Sequence, residues 1–316
     1  MITLKGLTKR FGDVSAVSEL SFEVQPREVV GFLGPNGAGK TTTLRMLAGF
    51  LAPTSGTAEL AGFDVRRDSL EVRRRIGYLP ENNPLYEEMD AGEYLEWIAD
   101  VRGLSGPARS ARIRSGVEAC GLGEAVAKPI GLLSKGFRQR LGLAAAMLHD
   151  PDILLLDEPT SGLDPNQTRE VRDLILRLKE AKTVLISTHI LPEVEAVCDR
   201  AVILHKGRLA AVGAPRELLR QAGGAARVRL CLKPGSEPGG IGAARAVLEA
   251  EAGASGVEAV DAREQWEFTL EFAPDAAAPA DPREALFRLS VGRGWTLLEL
   301  RRLEATFESV FRELTL

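Results

Sequence analysis

Residues 34–42 read GPNGAGKTT, between an apolar run at 29–33 and a helix-like stretch at 44–47. The spacing G-x-x-x-x-G-K-T, with a strand before it and a helix start after it, suits a loop that holds phosphate. Gly34, Gly37 and Gly39 let consecutive backbone N–H groups curl around an anion, and the following helix points its positive end at the same place. Pro35, Asn36, Ala38 and Thr42 complete the loop; Lys40 is placed to reach the outer phosphates, and Thr41 to offer its hydroxyl to Mg2+. The second candidate is Asp157-Glu158 in LLLDEPTSGLD. A carboxylate at the tip of a buried strand, as expected for Asp157, holds the Mg2+ shell in enzymes with such a loop. Glu158 is positioned to polarise a water for attack on a γ-phosphate. His189, one of only three histidines, ends the next apolar strand. Alone it would more often be a satisfied structural histidine, but at the carboxyl edge of a parallel sheet a γ-phosphate contact is the better reading. For Phe11, before Gly12, stacking on a base and burial in the core are both open.

These residues need a scaffold of strands. Residues 153–156 and 183–187 are apolar on both faces, as central parallel strands are. Residues 2–4 and 20–24 alternate with period two, and residues 57–60 and 75–79 read as a further strand pair after the turn at 53–56. Helical spacing takes over at 91–104 and 108–120. A third helix starts at Ser134, whose side chain can cap it, and stops at Asp150-Pro151. The α-rich insert covers about 82–150. A helix through 171–179 and a hairpin of 201–204 with 208–210 finish this part. Residues 221–226, rich in glycine and alanine, read as a linker. Beyond it the expected order is strand 227–232, helix 241–251, strands 257–262 and 266–272, helix 282–289 and strand 295–303. That order, βαββαβ, is the one found in a ferredoxin-like sandwich. Trp266, Phe268, Leu270 and Phe272 share one face and read as core. Residues 273–280 read as a loop, and Phe307, Val310, Phe311 and Leu314 as a closing amphipathic helix.

The length points to about two domains. Up to residue 220 the chain carries 29 basic and 29 acidic residues, and after it 11 and 15, so the net charge of −4 belongs to the C-terminal part. That speaks against a nucleic-acid tail. Cys120, Cys198 and Cys231 are scattered without metal-ligand spacing and fit free thiols in a reducing compartment. No stretch reaches the ~18 apolar residues of a membrane span, and the N-terminus has no apolar signal core.

A phosphate loop alone does not choose among kinases, GTPases and ATPases. GPNGAGKTT, LLSKGFRQR, LLLDEPTSGLD and STH, in that order and at these separations, resemble the nucleotide-binding subunit of an ATP-binding cassette (ABC) transporter. The resemblance covers about residues 1–220. It implies an α/β fold of the P-loop NTPase class: a mixed-sheet core, an antiparallel β subdomain and an α-helical subdomain, joined here to a small α+β C-terminal domain at 221–316. It also implies ATP and Mg2+ as ligands and a head-to-tail dimer, of this chain with itself or with a related cassette, trapping two ATPs. Carried over by motif, Ser134 and Gly136 would contact the γ-phosphate across the dimer interface, Asp164 would communicate between the sites, and Phe11 would stack on adenine.

Two departures stand out. Lys135 and Phe137 replace the Gly and Gln of the usual signature; Lys135 either adds a cation near the partner's phosphates or, as the preferred reading, points to solvent. Glu81 replaces the usual Gln; its carboxylate can bind Mg2+ or a metal-bound water but cannot donate a hydrogen bond as an amide does. Both departures, the string LPENNPLY and the tail at 303–307 resemble the ATPases of ABC-2-type exporters, especially the gliding-motility and multidrug-like group. That narrower resemblance implies a polytopic membrane permease subunit, one of whose short cytoplasmic helices would press into a groove formed by Glu81 and the insert. The chain would then sit in the cytoplasm, peripheral at the inner face of the cell membrane. Arg73, Arg74 and Arg75 read as a solvated face. The rivals are a soluble ABC ATPase acting on ribosomes or DNA, a GTPase, and a ligand-sensing C-terminal module. One cassette, balanced charge and no sustained heptads disfavour the first; the missing Asn-Lys-x-Asp motif disfavours the second; the lack of clustered catalytic residues leaves the C-terminal domain a structural or dimer-contacting role.

Overall fold

Short runs of β-branched and aliphatic residues, apolar on both faces, belong in the middle of a sheet covered on both sides. In the computed structural model, which describes residues 1–222, 226–262, 264–272, 281–303, 310–311 and 314–315, such runs form the centre of the first of two compact units. That unit spans Met1–Pro215 with Phe311–Leu316; the second spans Arg216–Val310.

The first unit opens with the antiparallel pair β1 (Ile2–Phe11) and β2 (Val14–Val24). These strands run well past the alternating stretches at 2–4 and 20–24, because register shifts between Leu4 and Arg10 absorb the places where alternation fails. β3 (Val29–Leu33) leads through the glycine-rich loop to α1 (Lys40–Leu47), followed by β4 (Ser55–Leu60), β5 (Phe63–Asp64), α2 (Ser69–Arg75) and β6 (Ile76–Leu79). The expected pairing of 57–60 with 75–79 does not occur. β4 pairs with β1, whereas β6 joins the central sheet beside β7 (Ile153–Asp157). Helix α2 takes up Arg75: Glu71 bonds Arg74 and Arg75 one turn on, and Val72 is buried. Of the arginine run, Arg75 also stacks on Phe63, 4.2 Å from the ring centre.

The helical insert contains α3 (Ala91–Val101), α4 (Gly106–Ala119) and α5 (Lys135–Met147). β7 is followed by α6 (Pro165–Leu178), β8 (Thr183–Thr188), α7 (Leu191–Val197), the hairpin β9 (Arg200–His205) and β10 (Arg208–Gly213), and α8 (Pro215–Ala222). α7 was not legible in the sequence pattern, and α8 takes Gln221 and Ala222 from the expected linker. The central sheet has the order β10-β9-β3-β8-β7-β6, parallel except for β10, and the smaller sheet the order β2-β1-β4-β5. Period two divides the central strands between two cores. Val30, Phe32, Leu155 and Leu185 face the cluster that holds Leu7, Leu20 and Phe22 of the antiparallel sheet. Val29, Leu154, Leu156, Val184 and Ile186 face the one that holds Leu95 and Leu141 of the insert. Each fully buried side chain of this size contributes roughly 1.5–3 kcal/mol.

The second unit takes α8 from Arg216 on and contains β11 (Ala226–Leu232), α9 (Gly240–Glu251), β12 (Gly256–Ala262), β13 (Gln265–Phe272), α10 (Pro282–Gly292) and β14 (Leu297–Leu303). Its antiparallel sheet has the order β12-β13-β11-β14, the ferredoxin-like arrangement. Trp266, Phe268, Leu270 and Phe272 are all buried in its core with Leu248 and Leu286. Trp295 precedes β14 and donates from Nε1 to Glu237 at 2.7 Å. The expected loop at 273–280 and most of the expected closing helix, from Phe307 on, lie outside the described residues.

Candidate functional site

The phosphate-type loop is shaped by two close approaches. A Cβ on Gly34 would lie 2.8 Å from the Leu204 carbonyl oxygen, and one on Gly39 2.6 Å from that of Ala16. Gly39 is also the N-cap of α1, at φ 102°, and offers no capping side chain. The first N–H groups of α1 are therefore left for an outside acceptor. Lys40 is buried; its Nζ donates to the Gly34 carbonyl at 2.6 Å and to that of Pro35 at 3.4 Å, and lies 3.9 Å from Glu158 Oε1. Burial lowers the Lys40 pKa, against the pull of Glu158, Asp157 and Glu81 in the opposite direction. Asn36, Gly37, Ala38, Gly39, Lys40, Thr41 and Thr42 line a cleft of about 390 Å3 together with Ala16, Glu81, Glu158 and His189.

The acidic half of the cleft comes from neighbouring parallel strands. Asp157, the last residue of β7, pairs in register with Ser187 of β8, and the Ser187 hydroxyl donates to Asp157 Oδ1. Thr41 Oγ1 donates to the same oxygen at 3.2 Å. Asp157 Oδ2 is buried with no hydrogen-bond partner. Glu158 sits in the left-handed region at φ 49° and is almost fully buried, its N–H donating to both Ser187 O and Oγ at 3.1 Å. Such a backbone costs of order 1–3 kcal/mol and persists only where neighbours over-determine it. Here Ser187 does so, aiming the carboxylate across the cleft. Its Oε2 lies 2.9 Å from His189 Nδ1, while the His189 side chain is 54% exposed. Burial raises the Glu158 pKa; His189 and Lys40 oppose that shift and Asp157 adds to it. Tyr78, behind the site, is pushed up to about 12 by burial and by the charge of Asp157. A raised-pKa carboxylate beside an imidazole and above a phosphate-type loop can accept a proton from water.

The structure thus brings together Asn36 to Thr42, Glu81, Asp157, Glu158 and His189, with Gly34 and Pro35 holding Lys40 from below. It does not bring Phe11, Ser134, Gly136 or Asp164 into that cleft. Phe11 is 49% exposed at the end of β1, with Lys9 Nζ 5.1 Å from its ring centre. Ser134 caps α5, accepting from the Phe137 N–H at 3.3 Å. Gly136 is buried against Gln167, whose Oε1 would lie 2.2 Å from a Cβ there. Asp164 caps α6, accepting from the N–H groups of Asn166 and Gln167 at 2.9 Å. Lys135 is exposed, as expected. Its side chain crosses Gly162, where a Cβ would meet Nζ at 2.2 Å, and Arg140 stacks on Phe137 at 4.4 Å. Two site residues escaped sequence reasoning. Ser187 carries a signal, a hydroxyl at the end of the strand adjoining Asp157, whereas Ala16 carries none.

The chain is similar to known proteins. The family described as ABC transporter matches residues 17–161. Over 221 residues the chain is 46% identical to an uncharacterised ABC transporter ATP-binding protein of Bacillus subtilis, YxlF, covering 70% of this chain and 73% of the relative. It is 42% identical over 220 residues to the Nod factor export ATP-binding protein I of Burkholderia lata, covering 69% of this chain and 72% of that one. Among solved structures, a dimeric post-hydrolysis state of an ATP-binding cassette bound to ADP and Pi matches with a TM-score of 0.63 at 26% identity, over 68% of this chain and 98% of that one.

Proposed function

The chain belongs to the ATP-binding proteins of ABC transporters, and we propose that it powers an ABC-2-type exporter through a separate polytopic membrane permease. ATP is its nucleotide and ATP hydrolysis its reaction. The observation that carries the reading is the convergence of the Gly34–Thr42 loop with Glu158, which stands 3.9 Å from Lys40 Nζ and 2.9 Å from His189.

In this reading the loop N–H groups and Lys40 hold the ATP phosphates, and Phe11 stacks on adenine. Glu158 takes the proton of the attacking water, helped by burial that keeps its basicity high. His189 orients Glu158 and meets the γ-phosphate. A hard divalent cation takes oxygen ligands, and the donor set here suits one: the Thr41 hydroxyl, and Asp157 with one buried oxygen unpartnered. Thr41 and Asp157 would hold Mg2+, with Glu81 in the same cleft as a further oxygen donor. The ion would neutralise charge on the phosphates. Ser134 and Gly136, on the capped start of α5, would close the site of a second cassette, identical or related, and Asp164 would link the two sites. The dimeric cassette among the similar structures supports this arrangement. Closure on ATP and release after hydrolysis would then drive the permease. Residues 1–220 would form the cassette, with the insert at 82–150 receiving the permease, and residues 221–316 an accessory domain in a structural or dimer-contacting role.

Among the described residues no helix is long and apolar enough to cross a membrane, so attachment at the inner face of the cell membrane would come from the permease. The name of the Nod factor export relative supports export. The test is to purify this chain from gently solubilised membranes of its host and identify what accompanies it by mass spectrometry. A polytopic membrane protein in near-equal amount is the expected result. Ribosomal or DNA-repair proteins without a membrane partner would overturn the reading.

A further inference from the structure

Glu193, on α7, is only 4% exposed, and none of the chemistry above uses it. Its Oε2 accepts from Thr188 Oγ1 at 3.1 Å, and the same hydroxyl accepts from the Ile190 N–H at 3.0 Å. Those two bonds bracket His189, holding the residue before it and the residue after it. The other carboxyl oxygen, Oε1, is buried without a hydrogen-bond partner and lies 3.9 Å from Arg172 Nη2 on α6. Arg172 Nε is likewise buried and unpartnered. Helix α6 is the one capped by Asp164.

A buried carboxyl group with one hydrogen bond and a long ion pair is poorly compensated for its desolvation. Stability alone does not account for it, and an incompletely satisfied buried polar group calls for a reason. We propose that Glu193 is a positioning residue for His189, relaying the place of α6 through Thr188 to the imidazole that contacts Glu158. Buried behind Thr188, it acts by fixing the turn from which His189 projects. The placement of His189 needs such support, since its ring is largely exposed and, among the described residues, its hydrogen-bond partner is Glu158 alone. This inference rests on the role given to His189 above.

The test uses the full chain with five variants: His189→Ala, Glu193→Ala, Glu193→Gln, Thr188→Val and the double variant of His189→Ala with Glu193→Ala. ATP affinity, kcat and KM are measured for each, together with proton–nitrogen correlation spectra of the three histidine rings. Glu193→Ala is expected to lower kcat about tenfold or more while ATP affinity changes less than twofold. Glu193→Gln, whose amide oxygen can still accept from Thr188, should restore most of the rate. Thr188→Val keeps the shape without the hydroxyl and should repeat the loss, which keeps the test decisive even where Glu193→Ala fails to fold. In Glu193→Ala and Thr188→Val the His189 ring signals should shift, and adding Glu193→Ala to His189→Ala should cost nothing further. A wild-type rate in His189→Ala would overturn the role of His189 itself. A slow His189→Ala beside an unaffected Thr188→Val and Glu193→Ala, or a further loss in the double variant, would overturn only the relay.

Discussion

The two compact units differ most in what they bury. Among the described residues, every buried polar or charged side chain but one belongs to the Met1–Pro215 unit; the exception, Ser290, is satisfied within its own helix by the Leu286 carbonyl at 2.8 Å. The first unit keeps Lys40, Asp157, Glu158, Ser187, Thr188 and Glu193 out of water at one edge of its central sheet. The second stacks Trp266, Phe268, Leu270 and Phe272 against two helices and, among the described residues, keeps its charged side chains half-buried or exposed. Polar burial costs free energy unless it is paired, so its concentration at one sheet edge marks where stability is exchanged for chemistry.

The largest effect expected from breaking this contrast is at Glu158. Glu158→Gln keeps the shape and removes the base, so turnover should fall about 10²–10⁴-fold with ATP binding intact. Near-normal hydrolysis in that variant would sink the assignment. On the other side, Phe268→Ala empties the apolar core of the second unit and should cost about 3–5 kcal/mol of its stability. Denaturation followed at its tryptophans should record that loss, while ATP titration stays within twofold; a parallel loss of nucleotide binding would show that the two units do not divide the work. The smallest effect concerns His149, in the first unit. It donates from Nε2 to the Ile76 carbonyl at 2.9 Å, and burial, with the charge of Arg102 next in size, lowers its pKa from 6.5 to about 4. Between those values the unfolded chain takes up a proton that the folded chain refuses, so stability drops as the pH falls through that window. After solvent screening the loss is about 1–2 kcal/mol. His149→Gln should flatten the difference in denaturant midpoint between neutral pH and the lower end of the window; an unchanged difference would place the acid sensitivity elsewhere.

Much of the fold and the site is legible in the amino-acid sequence. The loop at 34–42 needs only its own glycines and flanking periodicities to be recognised, and Asp157-Glu158 stands out because charge abruptly follows four aliphatic residues. The second unit is readable as an order of elements because each strand and helix there alternates or repeats cleanly. The departures share one cause. Residues 75–79 look like any edge strand, and nothing local tells them to lie beside β7 rather than β4. Helix α7 is too short for its periodicity to register. Ser187, Thr188 and Glu193 matter through partners as far as 30 positions away.

Local pattern by itself determined the phosphate-type loop, the acidic strand end and the sequence of elements, because backbone conformation and side-chain periodicity act over a few residues. Only the tertiary structure decided which strand lies next to which. With it came the seating of Asp157 on Ser187, the left-handed turn that aims Glu158 at Lys40 and His189, and the carboxyl group of Glu193 behind them. Those contacts join residues far apart in the chain, and their geometry depends on how the whole central sheet closes around its two apolar cores.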